Sequence, residues 1–384
     1  MQETIAKATK LQLYETGPQT LMGRLLRRFW HPIALSADVA RGKAVPVTVM
    51  CENLTLYRGE GGVAHLVGGR CAHRCTVLHT GIVRNDEISC MYHGWTFDGT
   101  GLCTRIPAES RPRARDVRIL AYPVREYCGL IFAWLGEGAP PAFDLPRKHV
   151  FEDPDRFATA KREVWDCNWF QQVENSLDAV HLSFAHMWGV PAQFGAMVSG
   201  NGEIPELSYE ETSSGVRQTA KRSNSNVRVS DWTFPNNNHI LAPGPTKTSA
   251  WGHVSVWAVP VDDQRTMRYR LFSVSETDPA IREKVRRDQD YDPADHAADL
   301  FAQKLEGIPD QGLISAQDYV AVRGQGDIVD RGAENLSTSD AGVIFLRRIF
   351  LRELEAIRAG HGSKHWTPLV EAVALAEPPV HVGS

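Results

Sequence analysis

Residues 71–95 read CAHRCTVLHTGIVRNDEISCMYHGW, and the fold is decided there. Cys71-Ala72-His73 is followed after sixteen residues by Cys90-Met91-Tyr92-His93. Two short couples, each with one thiolate and one imidazole, place four metal ligands on two loops that can close over one site. A Cys2His2 zinc site could use such a set, as could an iron–sulfur cluster with thiolates on one iron and imidazoles on the other. Zinc sites of this composition keep like residues together, Cys with Cys and His with His. One Cys and one His per loop favours the cluster. Cys75 and His79 lie in the same loop, but four ligands already complete the set.

The flanking sequence supplies a scaffold. From Trp30 to about Leu145 short β-rich runs alternate with Gly, Pro, Asn and Asp, among them VPVTVMCENLTLYRG, VAHLVGG, ISCMYHGWTFDGTG and GLIFAWLG, which predicts a compact antiparallel β-domain. Ahead of it, TLMGRLLRRFW at 20–30 predicts a short amphipathic helix. The proline-rich stretch EGAPPAFDLPRKH at 137–149 marks a boundary. Beyond it, 164–186 has helical texture and 205–275 is β-rich, with SNVRVSDWTF, SAWGHVSVWAVPV and RTMRYRLFSVS as strands. The last two are joined through Asp262-Asp263-Gln264. Residues 279–305 predict a charged surface helix. A final helix over about 339–358, capped by Ser339 or Asp340, carries a core stripe of Val343, Ile344, Leu346, Phe350, Leu354 and Ile357.

A second constellation lies in the helical stretch: Asn168-Trp169, Glu174-Asn175, Asp178, His181 and His186. Asp178 and His181 are i and i+3 on one helix face, but His186 is five residues further, so the helix must end or loosen after His181 if both imidazoles are to converge. Taken alone, such a pair reads as structural. The order of the two constellations reverses that reading.

Together they resemble the α subunits of Rieske non-heme iron aromatic-ring oxygenases. The first matches C-x-H-x(16)-C-x-x-H-G-W, and Asn-Trp-x4-Glu-Asn-x2-Asp-x2-His-x4-His resembles that family's mononuclear-iron motif. The start ETGPQTLMGRLLRRFWHPIA and the run from Asp318 to Arg348 are most similar to phthalate-dioxygenase and aromatic O-demethylase types. The resemblance implies an α+β fold: an antiparallel β Rieske domain at 26–145, preceded by a helical segment at 1–25 that packs on the catalytic domain, then a catalytic domain at 146–384 with an antiparallel sheet and helices in a helix-grip-like arrangement. It assigns Cys71 and Cys90 to one iron of a [2Fe-2S] cluster and His73 and His93 to the other. His181, His186 and Asp318, the last from Gln317-Asp318…Gln325-Gly326, become ligands of a mononuclear Fe(II), with Asp327 or Asp330 as fallbacks. Asp178 becomes the carboxylate that bridges His93 of one chain to His181 of the next in a homotrimer. A 2-His-1-carboxylate triad leaves three open positions, as O2 chemistry beside a substrate requires. With neither a nucleotide fingerprint nor a flavin motif in the sequence, electrons would come from a separate reductase, NADH-dependent and carrying flavin and iron–sulfur groups.

An aromatic substrate would lie among Phe184, Met187, Trp188, Phe234, Asn236, His239, Ile240, His253 and Trp257. Arg217, Arg222 or Arg228 could clamp a substrate carboxylate. Competing readings are a non-catalytic Rieske electron-transfer protein and a zinc-stabilised binding protein.

Composition is permissive but excludes several classes. The chain has 384 residues with Lys+Arg 42 against Asp+Glu 46, a net charge of -4 that argues against nucleic-acid binding. Seven scattered cysteines indicate no disulfide scaffold. The absence of a signal-peptide h-region and of any long apolar run predicts a cytoplasmic protein without membrane spans.

Overall fold

The computed structural model describes residues 13–110, 113–143, 145, 149–187, 202–223, 227–242, 244–246, 249–308 and 310–367. The first helix, α1 (Leu21–Leu26), starts at Thr20, whose hydroxyl accepts the Gly23 amide. It is shorter than its sequence pattern predicts, because Trp30 already opens a strand.

Among the described residues, the first half of the chain contains eleven strands in three small antiparallel sheets. β1 (Trp30–Leu35), β10 (Val124–Tyr127) and β11 (Leu130–Trp134) form one; β2 (Lys43–Val49), β3 (Glu52–Arg58), β4 (Ala64–Gly68) and β9 (Ala121–Tyr122) another. β5 (Ile82–Arg84), β6 (Glu87–Ser89), β7 (Thr96–Asp98) and β8 (Cys103–Arg105) make the third. Both Cys/His couples sit at the ends of these short strands, around a core that includes Tyr57, Val67, Leu78, Ile88 and Phe97.

After a short helix α2 (His149–Glu152), one seven-stranded antiparallel sheet organises the second half, in the order β12-β18-β17-β16-β15-β14-β13. Its strands are β12 (Phe157–Trp165), β13 (Glu206–Glu211), β14 (Gly215–Lys221), β15 (Val227–Thr233), β16 (Asn237–Ala242), β17 (Gly252–Pro260) and β18 (Thr266–Val274). β17 and β18 pair as the sequence predicts, His253 opposite Ser273 and Pro260 opposite Thr266. Helices α3 (Trp169–Ser176), α4 (His181–Phe184), α5 (Pro279–Gln289), α6 (Ala297–Phe301), α7 (Asp310–Arg323) and α8 (Ala341–Arg358) complete the half. None of the described helices is long and apolar enough to cross a membrane.

The two faces of the sheet have different neighbours. On one, Trp232 packs on Phe350 of α8 and Gln218 donates to the Leu177 carbonyl at the end of α3. On the other, Trp257 meets Phe132 of β11, so the first half of the chain covers that face. A single apolar cluster runs from Leu25 and Ile131 through Trp257 to Trp169 and Phe350, joining both halves in one core. Helix α8 starts so close to α3 that a Cβ on Gly342 would lie 2.2 Å from the Leu177 oxygen, which excludes any larger residue. The expected cap differs in detail: Ser337 caps the turn at 338–340, and Asp340 returns its carboxylate to the Ser337 amide.

His31 ties three elements together from a fully buried position. Its Nε2–H donates to the Leu26 carbonyl at 2.8 Å, and Nδ1 accepts from Asn236 at 3.3 Å. Burial holds the imidazole down to about 4 from 6.5, against the upward pull of those two hydrogen bonds. Above pH 6.5 the folded and unfolded states are both neutral here and the contribution is complete. As pH falls from 6.5 toward about 4 the unfolded chain binds the proton first, so stability is lost. The full difference is on the order of 3 kcal/mol. Urea titrations at about pH 7 and about pH 5 should therefore differ less in midpoint for His31→Gln than for the parent; an unchanged pH dependence contradicts this role.

Candidate metal centres

The two couples of the first half form matching loops. In one, the Cys71 amide donates to the Thr76 carbonyl and the Cys75 amide to Cys71; in the other, Cys90 donates to Trp95 and Gly94 to Cys90. Each loop closes through a residue at positive φ, Cys75 at 58° and Gly94 at 71°. Cys75 thus does Gly94's backbone work in its own loop, and its side chain is exposed. Cys71 and Cys90 are buried side by side, whereas His73 and His93 stand exposed at the tip. The two imidazole centroids are 4.5 Å apart, and His73 stacks on Trp95 at 4.7 Å with an interplanar angle of 2°. Burial and the neighbouring Cys90 thiol push the Cys71 thiol up to about 11, so this pocket is hostile to a free thiolate and suited to one neutralised by a metal. Two buried sulfurs beneath two outward imidazoles fit a [2Fe-2S] cluster with mixed ligands.

The second centre is assembled from two helical segments. α3 is capped by Asn168, whose Oδ1 accepts the Phe170 amide. The chain then breaks at Leu177, and Asp178 Oδ1 receives the Val180 and His181 amides at 3.1 and 3.2 Å to start α4. This interruption, followed by a 3-10 turn at Ala185–Met187, brings both imidazoles to one point despite their five-residue spacing. From the other side α7 is anchored by Ala316, Tyr319 and Val322 and by Tyr319 against Trp165. It presents Asp318, which lies within the helix.

His181 Nε2 and His186 Nε2 each lie 3.4 Å from Asp318 Oδ1. One ligand atom from each of the three residues falls within a 4.8 Å group. His186 Nε2 is buried with no hydrogen-bond partner among the described residues, an orphaned donor atom of the kind a metal would take up. Burial alone would raise the Asp318 carboxyl, but the imidazoles of His186 and His181 outweigh it and hold the group well below the ordinary range. The distal ring nitrogens are oriented: His186 Nδ1–H donates to Gln317 Oε1 at 3.0 Å, and His181 Nδ1–H to the Asp178 carbonyl. Asn175 donates to Asp318 Oδ1 at 3.4 Å. These contacts fix tautomer and ring orientation and leave both Nε2 atoms facing inward. A triad of two imidazoles and one carboxylate, with second partners in place, fits mononuclear Fe(II). The fallbacks are engaged elsewhere: Asp327 pairs with Arg323 and Asp330 accepts the Gly332 amide.

The expected substrate lining is only partly brought together. Phe184 and Met187 flank His186 and are partly exposed, and Trp188 lies outside the described residues. Ile240 shares the helix-side face of the sheet with Val254, packing in the cluster of Phe272 and Val285. His239, His253 and Trp257 occupy the opposite face: His253 Nδ1 meets His239 Nε2, His239 contacts Phe151, and Trp257 contacts Phe132. Phe234 stacks on Trp366, and Asn236 bonds His31 and the Ala258 carbonyl. Strand alternation separates these residues correctly into two sets, but which set faces the helices depends on what covers each face. Residues whose contribution the spacing did not reveal are Gln317, Asn175 and Trp95. All three stood in the quoted motifs, which gave them no role.

Comparison with known proteins gives the family. Residues 29–127 match the Rieske [2Fe-2S] domain family. The chain is 34% identical over 92% of its length to the 5,5'-dehydrodivanillate O-demethylase oxygenase subunit of a Sphingobium species, covering 81% of that protein. It is 32% identical to the tert-butanol monooxygenase / tert-amyl alcohol desaturase oxygenase subunit of Aquincola tertiaricarbonis, over 91% of this chain and 77% of the other. The fold superposes on the terminal oxygenase of carbazole 1,9a-dioxygenase from Novosphingobium sp. KA1 with a TM-score of 0.63, at 24% identity, over 90% of this chain and 95% of that one. The chain belongs to the Rieske oxygenases, as a terminal oxygenase subunit with a [2Fe-2S] domain, and is an oxidoreductase.

Proposed function

We propose that this subunit inserts oxygen from O2 into an aromatic compound by hydroxylation, dihydroxylation or oxidative demethylation, drawing electrons from a separate NAD(P)H-dependent reductase. The observation that carries the reading is the coexistence in one chain of the exposed His73/His93 tip and the inward-facing His181, His186 and Asp318 group. When bound, the cluster supplies one-electron transfer, and Fe(II) held by the triad supplies activation of O2.

The protein's own residues set up each requirement. His73, steadied on Trp95, and His93 offer ring edges to a partner surface. Gln317 and the Asp178 carbonyl hold the protons on the distal nitrogens of His186 and His181, keeping Nε2 free for the metal. Asp178 spends Oδ1 on the α4 amides, while Oδ2 lies 3.9 Å from His181 Nδ1 on a half-buried side chain. That leaves it able to receive an imidazole N–H from a neighbouring chain, in a cytoplasmic homotrimer closed by head-to-tail contact.

The test is product analysis under 18O2, with a reductase of the flavin and iron–sulfur type, over aromatic acids, aryl ethers and aryl methyl ethers. Label in a hydroxylated or demethylated product, together with consumption of NADH, is expected. Cluster reduction without labelled product from any substrate would leave only electron transfer and overturn the proposal.

A further inference from the structure

Helices α3 and α7, which lead to or carry the residues of the second centre, meet through polar as well as apolar side chains. Gln171, 1% exposed, lies in the first turn of α3 and spends its whole amide on the C-terminal end of α7 and the turn after it. Its Nε2 donates to the Val322 and Gly326 carbonyls, each at 3.1 Å, and its Oε1 accepts the Val329 amide at 3.0 Å. One helical turn further along α3, Asn175 donates to Asp318 Oδ1 at 3.4 Å, and Asp318 stands one turn before Val322 in α7. Gln171 and Asn175 share a face of α3 as Asp318 and Val322 share one of α7, so the helices run antiparallel, joined at two rungs a turn apart. A further rung sits at the cap of α3, where the Asn168 amide donates to the Asp327 carbonyl at 2.8 Å.

These contacts give a physical reason for the Gln325-Gly326 element, which the metal ligands leave unexplained. Gly326 has φ at 100°, where a side chain is disfavoured, and its carbonyl is one of the two that Gln171 holds. A buried amide is costly unless its polar atoms find partners, and here both N–H groups and the oxygen do. Apolar contacts between helices tolerate sliding, whereas hydrogen bonds to three backbone groups oppose it. The consequence falls on the triad. His181 follows α3 through the break at Leu177 and Asp318 rides on α7, so the register between the helices sets how far Asp318 Oδ1 lies from the two Nε2 atoms. A slip of one residue would move Asp318 by about 1.5 Å along the helix axis, against a tolerance of about 0.2 Å in a metal–ligand distance.

Resting on the reading of His181, His186 and Asp318 as a metal triad, we infer that Gln171 is a positioning residue for that triad: its amide locks the register of α3 against α7 and so sets the affinity of the site for a divalent ion.

Co(II) binding tests the lock without reductase, substrate or O2. Protein freed of loosely held metal, with the visible spectrum of its [2Fe-2S] centre retained, is dialysed against Co(II), and uptake absent from Asp318→Ala is assigned to the triad. Gln171→Leu and Gln171→Glu should each weaken that uptake about tenfold to a hundredfold, the Glu variant because its carboxylate has no N–H groups for the two carbonyls. A contact that serves stability alone would lower the thermal midpoint and leave the Co(II) affinity of the folded variants unchanged, which overturns the inference. Linkage supplies a measurement that needs no variant. If the locked register favours the metal, the metal favours the lock, so Co(II) should slow hydrogen exchange of the parent's Val329 amide, which Gln171 accepts. Equal exchange with and without bound Co(II) refutes the lock even where both variants fail to fold. A parent that takes up no Asp318-dependent Co(II) sinks the triad reading and the lock with it; normal uptake by the parent with unchanged affinity in the variants sinks the lock alone.

Discussion

Replacing Asp318 by alanine should lower product formation by at least about a thousandfold, ~4 kcal/mol in activation free energy. The reason is geometric. Among the described residues Asp318 Oδ1 is the carboxylate atom 3.4 Å from both His181 Nε2 and His186 Nε2, and without it two imidazoles face each other with no anion to hold a divalent ion. Total iron should fall from about three to about two atoms per chain, while the visible spectrum of the [2Fe-2S] centre stays intact. That spectral arm separates the effect from misfolding, since the cluster loops and α7 pack in different cores. Asp318→Asn, which keeps the side-chain shape and a contact with Asn175, should lose iron as well. Turnover retained in either variant would reject Asp318 as the third ligand, and an unchanged iron count would do so independently.

The second large effect belongs to Asp178. Asp178→Asn preserves an acceptor for the Val180 and His181 amides and therefore the start of α4, but removes the negative charge. Both metals should stay bound and both spectra should be normal. Oxidation of the reduced cluster by O2 in the presence of substrate, followed by stopped flow, should slow by about a hundredfold or more, equivalent to ~2.7 kcal/mol. Sedimentation should give the same mass as the parent protein. Unchanged coupled turnover would show that electrons do not depend on this carboxylate. A loss of iron together with turnover would place Asp178 among the groups that build the triad rather than between the two centres.

Legibility differed sharply between the two halves. The proposed cluster ligands stood out because all four lie on two turns closed by local backbone bonds, Cys75 to Cys71 and Gly94 to Cys90, whose demands are written within five residues. The proposed iron site needed more. His181 and His186 are local, but Asp318 comes from a helix about 130 residues downstream, and nothing in the intervening sequence says which acidic residue points inward. Resemblance supplied that choice, and the burial of α7 on Trp165 explains it. The substrate lining was the poorest reading. His253 and Trp257 were correctly set on one strand face with Val254 and Val256 on the other, yet the aromatic face proved to lie against β11.

By itself, then, the sequence determined the fold class, the β-hairpin from β17 to β18, the two metal motifs and the core stripe of α8, because each rests on a period, a turn or a spacing of a few residues. Only the tertiary structure decided which face of the seven-stranded sheet meets the helices that carry His181, His186 and Asp318, that Gln317 orients His186, and that Arg217 pairs with Asp231. Period-two alternation sorts side chains into two sets but carries no label for inside and outside. That label comes from the layers packed above and below the sheet, α3 and α8 on one side and the Rieske half on the other.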